Sequence, residues 1–307
     1  MLLNINQASI DSIRINYDTD ALWILNIALA IIMFGISLDL TIGDFKRILK
    51  APKILIAGIL SQFFLLPFLT FLLILIIKPH PSFALGMMLI AACPGGNVSN
   101  FFSKMAKGNA ALSISLTAFA TLICIVLTPF NLHFWASLYP PTENILKSVA
   151  LNPYQLTKLV LLILGIPLIL GMLVNYYHPE MAKKMNTVLR PFSVVFFLIL
   201  IVVALYDNAS IFKNHIHHVF LLVVFHNIFA YCIGYITGKA FKLNIIDIKT
   251  ITIETGIQNG GLGLLLIFTF FEGLGGMALL AAFWGVWDIF SGMALATYWG
   301  RKKVKNA

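Results

Sequence analysis

Cys93-Pro94-Gly95-Gly96-Asn97-Val98-Ser99-Asn100 interrupts an apolar run that otherwise extends over residues 83–106. A second polar stretch, Glu254-Thr255-Gly256-Ile257-Gln258-Asn259-Gly260-Gly261, interrupts another over residues 250–271. Both runs are long enough to cross a bilayer, which takes about 20 residues of helix. Hydrocarbon offers no hydrogen-bond partner, so irregular backbone persists at that depth only when buried in protein or lining a wet cavity. Two such interruptions, one in each half of a chain, are the pattern of discontinuous helices that meet at a ligand site.

The surrounding chain fits a membrane. Apolar residues make up 60% and charged residues 11%, against about 45–50% and 25% in soluble domains. Nine spans are expected, at 22–40, 54–77, 83–106, 110–135, 156–175, 191–207, 219–237, 250–271 and 277–299, giving an all-α polytopic membrane protein. The net charge of +9 points to topology rather than nucleic acid, because the basic residues lie between spans. One set of connections holds 16 of the 21 Lys and Arg; the other holds Arg14, Lys78, Lys147, Lys158 and Lys213. By the positive-inside rule the N-terminus is outside and the C-terminus cytoplasmic, in the cell inner (plasma) membrane. No basic segment precedes an apolar one at the N-terminus, so no cleavable signal peptide is expected. The three cysteines are scattered within apolar spans, which argues against a disulfide framework or zinc site. The third and eighth spans are the broken ones, each followed by a full span. Their orientations are opposite, as in inverted-topology repeats.

The polar residues inside the spans are the candidates for chemistry. Ser99 and Asn100 follow the first break, and Ser113 and Thr117 share a face of the fourth span. Four neutral oxygen donors there suit a hard cation; hydroxyls that only help helices pack are the plainer alternative. Glu254 is the acid of the eighth span, and an ionised carboxylate in hydrocarbon needs a cation, a cradle or a proton. His226 on the seventh span is a possible partner for it. Gln258 lies one helical turn further on, and Gln62 on the second span offers a buried amide. Asp288 sits mid-span in the ninth, with neighbour Ile289, and should face a cavity or a partner. His215, His217 and His218 read as a solvated external loop. No His-Glu-x-x-His or Gly-x-Ser-x-Gly motif is present, so enzymatic use of these acids lacks its usual frame.

These stretches resemble the bile acid:sodium symporter family, bacterial members included. The matching residues are Ile32-Met33-Phe34-Gly35 with Leu38-Asp39-Leu40, Cys93 through Gly96 with Ser99-Asn100, Gly108 through Ser113, His226-Asn227, Thr252-Ile253-Glu254, Gly256 through Asn259, and Ser291-Gly292 through Trp299. The resemblance covers about residues 25–300. It implies a core domain (about 54–135 and 219–299) in which the broken helices cross, and a panel domain (about 22–40 and 156–207). It implies two Na⁺ sites: Ser99, Asn100, Ser113, Thr117 and Glu254 for the first; Gln62, Glu254, Gln258 and the carbonyls of Thr255 and Ile257 for the second. Asn97, Asn259, Asp288 and Ile289 would border the substrate. Two departures stand out: nine spans where bacterial relatives have ten, and Asp288-Ile289 and Asn97 where the family has His-Asn and a small hydroxyl residue. The expectation is a Na⁺-coupled carrier of a small organic anion with no obligate protein partner; a proton-coupled carrier and an intramembrane enzyme are the alternatives.

Overall fold

The computed structural model describes residues 22–148, 154, 158, 161–206 and 209–301. The acidic N-terminal segment and Lys302, Lys303 and Lys305 lie outside them. Among the described residues every regular element is helical, and one isolated antiparallel bridge joins Gly95 to Gln258. In chain order the elements are α1 (Leu22–Ser37), α2 (Ile42–Leu49), α3 (Pro52–Ile77), α4 (Pro81–Ala92), α5 (Val98–Met105), α6 (Ala110–Ser137), α7 (Pro140–Ser148), α8 (161–177), α9 (Pro179–Tyr206), α10 (Ala209–Ala240), α11 (Ile245–Gly256), α12 (Gly260–Phe270) and α13 (Gly275–Arg301). By length and apolar composition, α3, α6, residues Val219–Ala240 of α10, and α13 can each cross a membrane. Shorter apolar helices include α4 and α12.

Both interruptions of the sequence are real breaks. The first divides α4 from α5, the second α11 from α12. Cys93 and Ile257 each leave their helix with extended backbone (φ −72°, ψ 157° and φ −98°, ψ 104°). α4 is buried from Ser82 to Ala92 and α11 from Asp247 to Gly256. A helix sheathed on every side is free of the one-sided pattern of a surface helix. The sheath comes from α3, α6 and α13 around α4, and from α10, α6 and α5 around α11. Elsewhere α1, α8 and α9 pack on one another.

Local chemistry explains several helix features. α3 and α8 each contain a π-turn, at Leu60–Leu65 and Leu161–Gly165, and each turn is followed by a proline, Pro67 and Pro167. Proline lacks an N–H and its ring crowds the carbonyl four residues back. A widened turn relieves that crowding. The freed carbonyl of Phe63 is taken up by Asn131 Nδ2 from α6 at 3.0 Å. Asn109 and Asn244 cap α6 and α11, their side-chain oxygens accepting the N–H of Leu112 and Asp247.

The structure differs from the sequence expectations in four places. His215, His217 and His218 fall within helix α10, which begins at Ala209, rather than in a loop. The helix expected after Pro191 starts at Pro179 and runs through the proline. Part of the long connection at 136–155 is helical, as α7. Lys249, counted with the connecting loops, lies inside α11 and is buried, with Nζ donating to the Ala106 carbonyl at the end of α5 (2.9 Å). A cation there complements the negative end of that helix.

Candidate ion site at the helix crossover

The two breaks pair with each other. Gly96 N–H donates to the Ile257 carbonyl (3.0 Å), and Asn259 N–H donates to the Pro94 carbonyl (3.0 Å). Each interruption therefore supplies the partners that the other lost, which is the requirement for broken backbone away from water. α5 and α12 both begin immediately after the crossing, so two helix N-termini lie beside it. Asn259 caps α12, with Oδ1 accepting from Leu262 N–H at 2.9 Å. Asn97 precedes α5, exposed and without a side-chain cap bond.

The last turn of α11 delivers Glu254 into a cluster of oxygens. Its Oε2 accepts from Ser99 Oγ (2.6 Å) and Ser113 Oγ (3.0 Å), and its Oε1 accepts from Thr117 Oγ1 (2.5 Å). Thr117 Oγ1 is also 3.2 Å from Asn100 Oδ1 and 3.0 Å from the Ser113 carbonyl. Its single proton serves one of these acceptors at a time. The pocket thus holds more acceptor oxygens than donated protons, around a buried carboxylate. All five residues expected at the first ion site converge here. His226 does not join them: its Nε2 lies 2.7 Å from Thr70 Oγ1 and its ring packs on Trp284. Among the described residues, the ion pairs Arg47–Asp44 and Lys147–Glu143 are near helix ends and leave Glu254 to neutral partners.

The glycine before the crossing is a matter of contact distance. A Cβ on Gly95 would stand 2.7 Å from Glu254 Oε1 and 3.1 Å from its Cδ. Only a residue without a side chain lets the first break approach the carboxylate this closely.

The residues of the expected second site are near one another in the fold, but their arrangement differs from the expectation. α11 stops at Gly256, so Gln258 lies in the extended segment rather than on the helical face of Glu254. Its Nε2 donates to the Thr255 carbonyl (2.6 Å), while its buried Oε1 has no partner among the described residues. The Ile257 carbonyl already accepts from Gly96. Gln62 lies on the π-turn of α3, buried, with Nε2 unpartnered. Its neighbour Ser61 reaches the site instead, its hydroxyl 2.8 Å from Thr255 Oγ1. Buried amides with spare valence are rare in folded chains.

Asp288 and Ile289 point different ways, as adjacent helical residues must, about 100° apart. Ile289 is exposed and lines a groove of about 730 Å³ along one face of α13, with Phe290, Met293, Thr297 and, at its far end, Arg301. Asp288 is buried on the other side. Its Oδ2 accepts the Gln258 N–H (3.0 Å) and its Oδ1 accepts from Asn227 Nδ2 (3.0 Å). Asn227 was visible in the sequence only as one half of a His-Asn pair. A polar residue within the apolar stretch of α10 was the available signal.

Thr117 tests the hydroxyl cradle. Thr117→Val keeps the side-chain shape and leaves Glu254 Oε1 without its nearest donor, which costs about 1–3 kcal/mol for a buried group. We expect a lower unfolding temperature in detergent for this variant and near-normal behaviour for Thr117→Ser. Equal stability of the two would show that the hydroxyl contributes nothing.

Comparison with known proteins agrees with this geometry. The profile of the Sodium Bile acid symporter family matches residues 26–215. An uncharacterized sodium-dependent transporter, YocS of Bacillus subtilis (strain 168), is 32% identical over 92% of this chain and 84% of its own length. A probable chloroplastic sodium/metabolite cotransporter of Arabidopsis thaliana, BASS1, is 29% identical over 91% of this chain and 67% of its own. The human ileal sodium/bile acid cotransporter is 27% identical over 77% of this chain and 66% of its own. These relatives are transporters, so the reading of Glu254 and Asp288 as acids of an intramembrane enzyme falls away. The chain belongs to the Sodium Bile acid symporter family.

Proposed function

We propose that the protein is a Na⁺-coupled symporter that imports a small organic anion by alternating access. The observation that carries this reading is the oxygen cluster around Glu254, where acceptors outnumber protons and no basic side chain balances the carboxylate. Na⁺ is a hard cation that takes such a set of carboxylate, hydroxyl and amide oxygens. Ser99, Asn100, Ser113, Thr117 and Glu254 would hold one ion. Gln62, Gln258 and the carbonyls of Thr255 and Ile257, with Glu254, would hold a second; the spare amide atoms of Gln62 and Gln258 support this.

The substrate would meet the crossover from the groove on α13. Asn97, Asn259 and Ile289 would border it, with Asp288 behind. Helix N-termini at α5 and α12 favour a negative group, and the apolar groove ending in Arg301 suits a carboxylate with an apolar body. A small metabolite anion and a bile-acid-like solute share that chemistry. α1, α8 and α9 would form the panel against which the core moves, in a nine-span chain with the N-terminus outside. Each inward Na⁺ gains about 2.3 kcal/mol per 100 mV of membrane potential, so two ions would drive concentrative uptake.

The test is uptake of labelled organic acids into proteoliposomes, with ²²Na⁺ entry measured in parallel. Substrate-dependent ²²Na⁺ entry is expected. Uptake that persists when K⁺ replaces Na⁺, and follows an imposed pH gradient instead, would transfer coupling to protons.

A further inference from the structure

The second break leaves two backbone groups that the crossing itself does not satisfy: the Gly256 carbonyl at the end of α11 and the Gln258 N–H. A pair of side chains from two other helices closes both. Asn227 Nδ2 on α10 donates one hydrogen to the Gly256 carbonyl (2.9 Å) and the other to Asp288 Oδ1 (3.0 Å). Asp288 Oδ2 on α13 then accepts the Gln258 N–H (3.0 Å). The chain of contacts is Gly256 C=O, Asn227 amide, Asp288 carboxylate, Gln258 N–H. It brackets Ile257, whose carbonyl accepts from Gly96, and it fixes the residue whose spare Oε1 is offered to an ion. The same turn is pinned sterically. A Cβ on Gly256 would overlap the Tyr231 ring at 2.1 Å, and the Tyr231 hydroxyl lies 3.2 Å from Ser291 Oγ on α13.

We infer that Asp288, acting through Asn227 and the Gln258 backbone, is a positioning residue that sets Na⁺ affinity at the crossover rather than a group that touches substrate. Its burial away from the groove that Ile289 lines separates the two roles. A carboxylate is required there because both neighbours donate. In Asp288→Asn one amide oxygen can serve only one of them. If it keeps the Gln258 N–H, its NH₂ faces the Asn227 NH₂. If Asn227 turns over to accept, the Gly256 carbonyl loses its donor. Every arrangement leaves one group of the break unpaired, so the segment that shapes the ion site loosens.

The inference rests on the Na⁺-coupled reading, and the experiment separates the two. Thermal unfolding of purified protein is followed against NaCl at constant ionic strength, with KCl as replacement and no substrate. A Na⁺-specific rise in the wild type is the outcome the coupling reading requires; its absence sinks that reading. Given that rise, Asp288→Asn should need roughly tenfold more Na⁺ for half of it, the effect of one buried group left unpaired. The full rise should return at saturating Na⁺. Asn227→Ser, which cuts the same chain while keeping the carboxylate, should shift the midpoint in the same direction. A variant that is less stable in Na⁺ and K⁺ alike, with an unmoved midpoint, would overturn the inference. So would failure of both variants to fold at any Na⁺ concentration, since the chain would then be a folding element and not a setter of affinity.

Discussion

Glu254→Ala is expected to erase the sodium response completely. The carboxylate is the point where both proposed ion sites meet, and it is the one ionised group among the hydroxyls of Ser99, Ser113 and Thr117. Without it those hydroxyls can still find the Ser113 carbonyl and the Asn100 amide, so the unliganded fold should survive. Removing an acid from a buried setting also removes its desolvation cost. The variant should therefore unfold in K⁺ at or above the wild-type temperature. In Na⁺ the difference is large: a ligand at a hundred times its Kd adds about 2.7 kcal/mol to a folded protein, and a protein with no site gains nothing. Thermal unfolding in matched NaCl and KCl checks both halves of the expectation. A variant that keeps the wild-type Na⁺ midpoint would refute the assignment of Glu254.

Gly95→Ala should damage both stability and the site. The added Cβ would sit 2.7 Å from Glu254 Oε1 and 3.1 Å from the Glu254 carbonyl oxygen. The backbone has little room to retreat, because the next residue is held to Ile257 across the crossing. Forcing one methyl into a closed space costs about 1–3 kcal/mol, and here the atom that yields is the ion-binding oxygen. We expect a lower unfolding temperature in K⁺ together with loss of the Na⁺-dependent rise. Gly285→Ala provides the contrast. A Cβ there meets nothing within 4 Å, so the change should be neutral or stabilise α13 by up to about 1 kcal/mol. Similar losses at both positions would indicate a general intolerance of glycine replacement and not a special contact at Gly95.

The breaks were legible in the sequence because their cause is written in it. Pro94 and the adjacent glycines cannot continue a helix, and Glu254 in an apolar run demands partners. The hydroxyls of Ser113 and Thr117 could be matched to it because their spacing of four places them on one helix face. Less was visible where the partner is backbone. Nothing in the residue type of Gln258 announces that its N–H would be held by Asp288, so that acid read as a substrate neighbour. The π-turn of α3 was equally hidden, although Pro67 gave its reason in retrospect. Helix ends outside the apolar spans were misjudged at His215–His218 and at Pro191. Polar residues and a proline there resemble a loop by composition, yet packing carries α10 and α9 through them.

Gly96 and Ile257, whose backbone groups bond at the crossing, lie 161 positions apart in the chain (257 − 96). A nascent polypeptide that has inserted its first half into lipid must wait for the second before the Pro94 carbonyl and the Gly96 amide find partners. Until then it carries an unpaid polar gap that water cannot fill. Biogenesis of this protein is thus committed to late closure across the whole sequence, and membrane chaperones have their longest opportunity to act on the half-made molecule.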